Sequence, residues 1–234
     1  MAKKKKETPI VEKGITKRPK EIKAKTEAQS FYLEDLLSNK IPIVFGIGPS
    51  GTGKTLLACY AACKLLYEGY INRIVLTRPV IEAGENLGFL PGSLEEKIDP
   101  YMRPLFDSLS KIYSPEIITS FLNKRKIELS PIAYLRGRTL DHCYIIFDEA
   151  QNATAHQIKM VLTRLGKGSK LAITGDETQI DLPKKYSGLT LWSDLLFDQK
   201  YVGFTEFSTA DNQRRKEVSS ILNLYDRFIQ TGKK

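Results

Sequence analysis

Residues 48–55 read G-P-S-G-T-G-K-T, and the apolar run Ile41-Pro42-Ile43-Val44-Phe45-Gly46-Ile47 leads straight into them. Their spacing is G-x-x-x-x-G-K-[ST]. In that pattern glycines let successive backbone N–H groups curl around phosphate oxygens, while the lysine adds charge and the last hydroxyl a metal ligand. A helical run, Leu56 to Glu68, follows and stops at Gly69. A loop between a buried strand and a helix N-terminus sits where the helix dipole and its free N–H groups favour anions. Gly48, Pro49, Ser50, Gly51, Thr52, Gly53, Lys54 and Thr55 are therefore read as a nucleotide-phosphate cradle, Thr55 also as a metal ligand. A plain glycine-rich turn does not explain the strand and helix on either side.

The chain has 234 residues, 41% of them hydrophobic, enough to bury a substantial core in one large domain. Its net charge of +9 is uneven: residues 1–28 hold ten Lys/Arg against four Glu, +6 in all, leaving +3 for the other 206 residues. Few large apolar side chains accompany that charge, so residues 1–28 are expected to be a largely disordered basic tail, with a single domain over 29–234. The tail reads either as a polyelectrolyte arm for RNA or DNA or as a solvated solubility segment. No apolar run approaches the roughly 18 residues that span a membrane, and no signal-peptide core follows Met1 to Lys6. A soluble intracellular protein is expected. Cys59, Cys63 and Cys143 are odd in number and lie in apolar segments, the pattern of buried thiols, and His142 and His156 have no ligand spacing.

Beyond the cradle the chain alternates strand-like and helix-like stretches. Ser30 to Leu37 reads as a short helix, and Arg73 to Arg78 as a buried strand ended by Pro79. Gly84, Gly88, Pro91 and Gly92 mark a functional loop over 82–92. Leu94 to Tyr113, interrupted by Pro100 and Pro104, and Pro115 to Lys124 predict short helices; Lys126 to Ser130 predicts a strand, and Arg136-Gly137-Arg138 a turn with two cations. Ala155 to Leu165 and Leu189 to Phe197 have helical spacing, Lys170 to Thr174 and Tyr201 to Phe207 that of strands. A last helix, Arg214 to Ile229, is expected to bury Val218, Ile221, Leu222, Tyr225 and Ile229.

The second informative stretch is Cys143-Tyr144-Ile145-Ile146-Phe147-Asp148-Glu149-Ala150-Gln151-Asn152. A continuous apolar run reads as a strand buried on both faces, which puts Asp148 and Glu149 at its carboxyl end, where open α/β sheets bind ligands. This is a Walker B arrangement: Asp148 holds Mg²⁺ through water beside Thr55, and Glu149 orients and deprotonates the attacking water. Thr174-Gly175-Asp176-Glu177-Thr178-Gln179 arrives at the same sheet edge, with Asp176 near the nucleotide and Gln179 a γ-phosphate sensor.

The set G-I-G-P-S-G-T-G-K-T, T-R-P-V-I-E-A-G-E-N-L-G-F-L-P-G, D-P-Y-M-R-P-L-F-D, R-G-R-T-L, D-E-A-Q-N, L-T-R-L-G-K-G-S-K and T-G-D-E-T-Q-I-D-L-P resembles the PhoH family of P-loop ATPases, from Pro42 to Tyr225. The resemblance implies a RecA-like α/β domain related to superfamily 1 helicase cores, with a mostly parallel sheet covered by helices on both faces. It implies ATP and Mg²⁺ as cofactors, and a bacterial or phage-infected cytoplasm as the setting. The loop after the second strand and the R-G-R-T-L turn are then expected to line a path for RNA or single-stranded DNA, with Arg78, Arg136 and Arg138 as phosphate contacts. Where many relatives read D-V-V-R-H-P-L-V, this chain has Asp211-Asn212-Gln213-Arg214-Arg215-Lys216-Glu217-Val218. Arg214 stands as the γ-phosphate candidate and Arg215 as its substitute.

Two functions follow as expectations: an ATPase acting on RNA or single-stranded DNA in a helicase-like way, or an ATP-driven adaptor that clamps a partner such as a ribonuclease without unwinding. A small-molecule kinase fits D-E-A-Q and T-G-D-x-x-Q poorly. One P-loop and no internal repeat leave the second wall of a motor site to another subunit, so a homo-oligomeric ring is expected, with six subunits implied by the resemblance. Arg103, Arg164, Arg214 and Arg215 are the arginines considered for that wall, Arg214 in cis or in trans.

Overall fold

Short aliphatic strands separated by helices favour a parallel sheet, because each return to the same edge needs a crossover long enough to hold a helix. A computed structural model describes residues 17–79, 94–181 and 187–215, with positions 217, 218, 220, 221, 224 and 228 beyond them. In chain order its elements are α1 (Glu27–Leu37), β1 (Ile43–Ile47), α2 (Lys54–Tyr67), β2 (Arg73–Thr77), α3 (Leu94–Ser110), α4 (Pro115–Asn123), β3 (Ile127–Leu129), β4 (Cys143–Phe147), α5 (Ala155–Leu162), β5 (Lys170–Gly175), α6 (Leu189–Leu196) and β6 (Val202–Glu206). Among the described residues the strands form one sheet in the order β3-β2-β4-β5-β1-β6, every neighbouring pair parallel.

Alternation along the strands divides the core between the two faces. Val44, Ile74, Leu76, Tyr144, Ile146 and Ala172 pack under α1 to α4. Phe45, Val75, Ile145, Phe147, Leu171 and Ile173 pack under α5, α6 and the turn at Ile132–Leu135. All five residues of β4 are buried, as its unbroken apolar run predicts. The α/β class with helices on both faces is the one the sequence implies. Cys59, Cys63 and Cys143 are free and buried, and burial pushes all three thiols above their ordinary values.

Several segment readings are corrected. Residues 17–28 are not a disordered tail: Tyr113 donates from its hydroxyl to the Lys17 carbonyl, Lys20 N–H bonds Ile112, Ile22 packs on the core, and α1 begins at Glu27 under the Thr26 cap. Residues 1–16 lie outside the described residues. Pro100 and Pro104 do not break α3, which runs through both. The two prolines stand one turn apart on the exposed side, and Met102, Leu105 and Leu109 are fully buried on the other, so packing holds a helix that has lost two backbone donors on its wet face. At the final helix, two residues expected to be buried are not: Val218 and Ile221 are 40% and 64% exposed. The side chains of Leu222, Tyr225 and Ile229 lie outside the described residues, as does the loop over 82–92.

One buried cation gives a pH prediction. The Lys170 ammonium, 7% exposed, donates to the Ser38 and Ile41 carbonyls at the start of β5. Burial lowers its pKa to about 8, with Asp35 opposing. An unfolded lysine titrates near 10.4, so between about pH 8 and 10 the unfolded chain binds more protons and this group makes stability rise with pH, by up to about 1.4 kcal/mol per unit. Denaturant melts of the parent and Lys170→Met over that range are expected to diverge, the parent gaining relative to the variant. Parallel curves would remove Lys170 as the source.

Candidate active site

The strand β1 carries the chain to the carboxyl edge of the sheet, where Gly48 must turn it sharply. Its φ is 137°, and a side chain there would meet the Phe207 carbonyl oxygen at 2.2 Å. Only glycine suits both constraints. The loop that follows is held from several sides. Gln29 of α1 donates to the Thr52 carbonyl (2.9 Å), Ser50 N–H donates to Asp176 Oδ2 (3.0 Å), Asn212 Nδ2 reaches the Ser50 carbonyl (3.3 Å) and Gln213 N–H the Gly51 carbonyl (2.9 Å). Gln29 lies in no motif, and Asn212 and Gln213 stand where the chain departs from the family's D-V-V-R stretch, so nothing in the sequence signals their part.

Lys54, at the first turn of α2, is 8% exposed and donates to the Gly48 and Pro49 carbonyls at 2.6 and 2.7 Å. Burial pulls its ammonium below the usual lysine range, and Asp176, Asp148 and Glu149 pull it back. Next to it, Thr55 Oγ1 donates to Asp148 Oδ1 at 2.8 Å, and Thr174, on the strand between β1 and β4, donates to the same oxygen at 2.6 Å. A hydroxyl and a carboxylate at this contact are hard oxygen donors that fit Mg²⁺, which takes few protein ligands and fills its shell with phosphate oxygens and water. Among the described residues no group of three or more His, Cys, Asp or Glu side chains stands ready to hold a metal alone.

Glu149 adopts φ 54°, an uncommon conformation for a side chain of this size, directly after β4. Both its carboxylate oxygens are engaged: Arg78 donates to Oε1 at 2.7 Å, and Gln151 Nε2 donates to Oε2. The same Gln151 donates to the Gln179 carbonyl and accepts from Asp176 N–H through its Oε1, so the D-E-A-Q and T-G-D-x-x-Q stretches are one hydrogen-bonded unit. Gln179 in turn reaches Ser50 Oγ at 3.0 Å. Arg214 lies across Gly51, where an added methyl would sit 2.8 Å from its Nε.

Ser50, Gly51, Gly53, Lys54, Thr55, Asp148, Glu149, Asp176, Gln179 and Arg214 thus line one cleft of about 420 Å³. Arg215, the next residue in the chain, is exposed and not among the lining residues. The nucleic-acid candidates fall apart: Arg136 is exposed, Arg138 is paired through both terminal nitrogens with Glu128, and Arg78 is bound to Glu149 and the Tyr101 carbonyl. Arg164 is tied to the Met160 and Arg138 carbonyls, toward the amino end of β4, and Arg103 is exposed on α3.

A family model described as PhoH-like protein matches residues 21–226. The PhoH-like protein of Mycobacterium tuberculosis H37Rv is 49% identical over 219 residues, 93% of this chain, and the chain spans 62% of that relative's length. The PhoH-like protein of Bacillus subtilis 168 is 48% identical over 221 residues, again 93% of this chain and 69% of the relative. Among solved structures, the large terminase of a thermophilic bacteriophage superposes over 82% of this chain and 47% of its own, with TM-score 0.52 and 13% identity, a likeness of fold alone.

Proposed function

The chain belongs to the PhoH-like protein family, and from that premise we propose that it hydrolyses ATP with Mg²⁺ and couples turnover to RNA or single-stranded DNA, in the cytoplasm of a bacterial or phage-infected cell. The observation that carries the reading is the convergence of Lys54, the Thr55–Asp148 pair, Glu149 and Gln179 on one cleft at the carboxyl edge of the sheet. In the proposed reaction Gly51, Thr52 and Gly53 present backbone N–H groups to the phosphates, those of Gly48 and Ser50 being bonded to the Gly175 carbonyl and Asp176, and Lys54 moves its ammonium from loop carbonyls to phosphate oxygen. Thr55 and Asp148 would hold Mg²⁺, which when bound would neutralise charge on the phosphates. Glu149 takes the proton of the attacking water, and Gln179 and Asp176 set the γ-phosphate side of the cleft, with Arg214 on its rim.

Release of phosphate from ATP, measured with and without poly(U) or poly(dT), tests the coupling; faster turnover is expected. Turnover indifferent to either polymer would favour the adaptor reading, with a ribonuclease as one partner to try. Exposed apolar side chains support a protein contact of some kind: Leu191, Leu195 and Phe197 on and after α6 are 58%, 60% and 59% exposed. A second copy of the chain in a ring, six-membered by family resemblance, is the occupant we favour.

Phosphate contacts make affinity fall with salt, by a log–log slope of about −0.7 per contact on single strands. Arg136→Ala, at the exposed position of the R-G-R turn, is expected to weaken binding and flatten that slope by about one contact. Arg138, already paired with Glu128, is expected to matter less. Residues 17–28 being folded, the clean deletion is 1–16, which removes five Lys and two Glu. Weaker binding with a flatter slope makes that segment an arm; affinity unchanged at every salt concentration makes it a solubility segment.

A further inference from the structure

Arg78 closes β2 next to β4, and its guanidinium reaches three groups at once. It donates to Glu149 Oε1 at 2.7 Å and to the Tyr101 carbonyl of α3 at 3.1 Å, and its Nε stands 3.9 Å from Asp148 Oδ2. The side chain is only 17% exposed, so these bonds form in a largely dry environment where a charge-assisted pair is strong. Arg78 lies behind the cleft lining, in contact with two of the residues that form it, Glu149 and Asp148. A general base needs an oxygen turned to the water it deprotonates. Here one oxygen of Glu149 is fastened to Arg78 and the other to Gln151. Gln151 also donates to the Gln179 carbonyl within the cleft, whereas Arg78 ties the carboxylate to the Tyr101 carbonyl of α3.

We propose that Arg78 is a positioning residue that restrains Glu149, so that ATP turnover rises when the guanidinium is drawn off the carboxylate. The part of the idea that names what draws it off rests on the nucleic-acid reading above: a phosphate of a single strand offers the guanidinium a competing bidentate partner. The restraint itself stands without that reading, because it is visible in the basal rate. A charge-assisted hydrogen bond that must open before reaction withholds on the order of tenfold in the population of competent molecules.

The experiment compares the parent chain, Arg78→Gln and Arg78→Lys in phosphate release from ATP, alone and with poly(U) or poly(dT), beside melting curves and the affinity of a fluorescent ATP analogue. Arg78→Gln keeps a donor without the charge and is expected to raise basal kcat by about three- to tenfold at unchanged KM for ATP, with little further stimulation by polymer. Arg78→Lys keeps a charge beside Asp148 but replaces the planar guanidinium fork with a compact ammonium, which holds Glu149 and Tyr101 in a less fixed geometry. Its basal kcat is expected between the other two, and if Arg78→Gln fails to fold this variant alone decides. A basal kcat at or below the parent's in every folded variant overturns the restraint and makes the arginine a support that activity needs. A parent chain that no polymer stimulates, together with a raised basal rate in the variants, would sink the nucleic-acid reading and leave the restraint standing.

Discussion

Glu149→Gln is expected to bind ATP and Mg²⁺ as the parent does and to hydrolyse ATP about 10²- to 10⁴-fold more slowly, the range a positioned base contributes. The substitution keeps the size of the side chain and an oxygen to accept from Arg78, at the cost of the bond from Gln151, while the proton acceptor is lost. Lys54→Ala is expected to differ in kind. Its ammonium is nearly buried against the loop carbonyls, and with it gone both the loop's inner contacts and the charge facing phosphate disappear, so nucleotide binding itself fails. Gln179→Ala belongs between them, slowing hydrolysis with little effect on binding. A fluorescent ATP analogue and a phosphate-release assay separate the three. Turnover at the parent rate in Glu149→Gln would remove Glu149 as the base.

The other large effect concerns an arginine supplied across a subunit boundary, worth about 10³- to 10⁵-fold in phosphoryl transfer. The cleft has one wall from the P-loop and one from the turn at Asp176 to Gln179, and its rim carries Arg214, which lies against Gly51 of its own chain. That placement argues for Arg214 acting in cis, and leaves Arg103, Arg164 and Arg215 to be tested in trans. Arg164, with bonds to two carbonyls and to the Thr163 hydroxyl, would have to give up three partners to reach a neighbour. Each arginine is changed to Ala and the inactive protein mixed with inactive Lys54→Ala. A trans residue gives back part of the activity, because some interfaces then join an intact P-loop to an intact arginine. No recovery with any of the four, or full activity in a dilute monomer by light scattering, would end the ring proposal.

The parts of the site that could be read from the chain are those built by near neighbours in sequence. The phosphate loop is eight consecutive residues, and an apolar run ending in Asp148-Glu149 can only present those acids at a strand end. The unread parts depend on residues brought together by the sheet. Arg78 and Glu149 are 71 positions apart and meet because β2 and β4 are paired in register, Thr77 beside Phe147. From sequence alone a T-R-P stretch offers a cation and nothing about its partner. Proline propensity is a local rule that marks breaks at Pro100 and Pro104, whereas in α3 Met102, Leu105 and Leu109 bury one face whatever the other lacks. For the last helix, periodicity in the sequence does not say what covers an apolar side chain, and Val218 and Ile221 stand exposed.

The three cysteines have a practical consequence. Cys59, Cys63 and Cys143 are each no more than 1% exposed, and their burial disfavours the thiolate, the form that reacts with maleimides and other alkylating probes. The native chain is therefore nearly silent toward such reagents while folded. A single cysteine placed at an exposed position such as Tyr70 or Tyr134 would take a fluorophore selectively, with no need to remove the natural thiols from the core. Donor- and acceptor-labelled batches could then be mixed to follow subunit exchange by energy transfer, and late labelling of the native thiols would itself report unfolding.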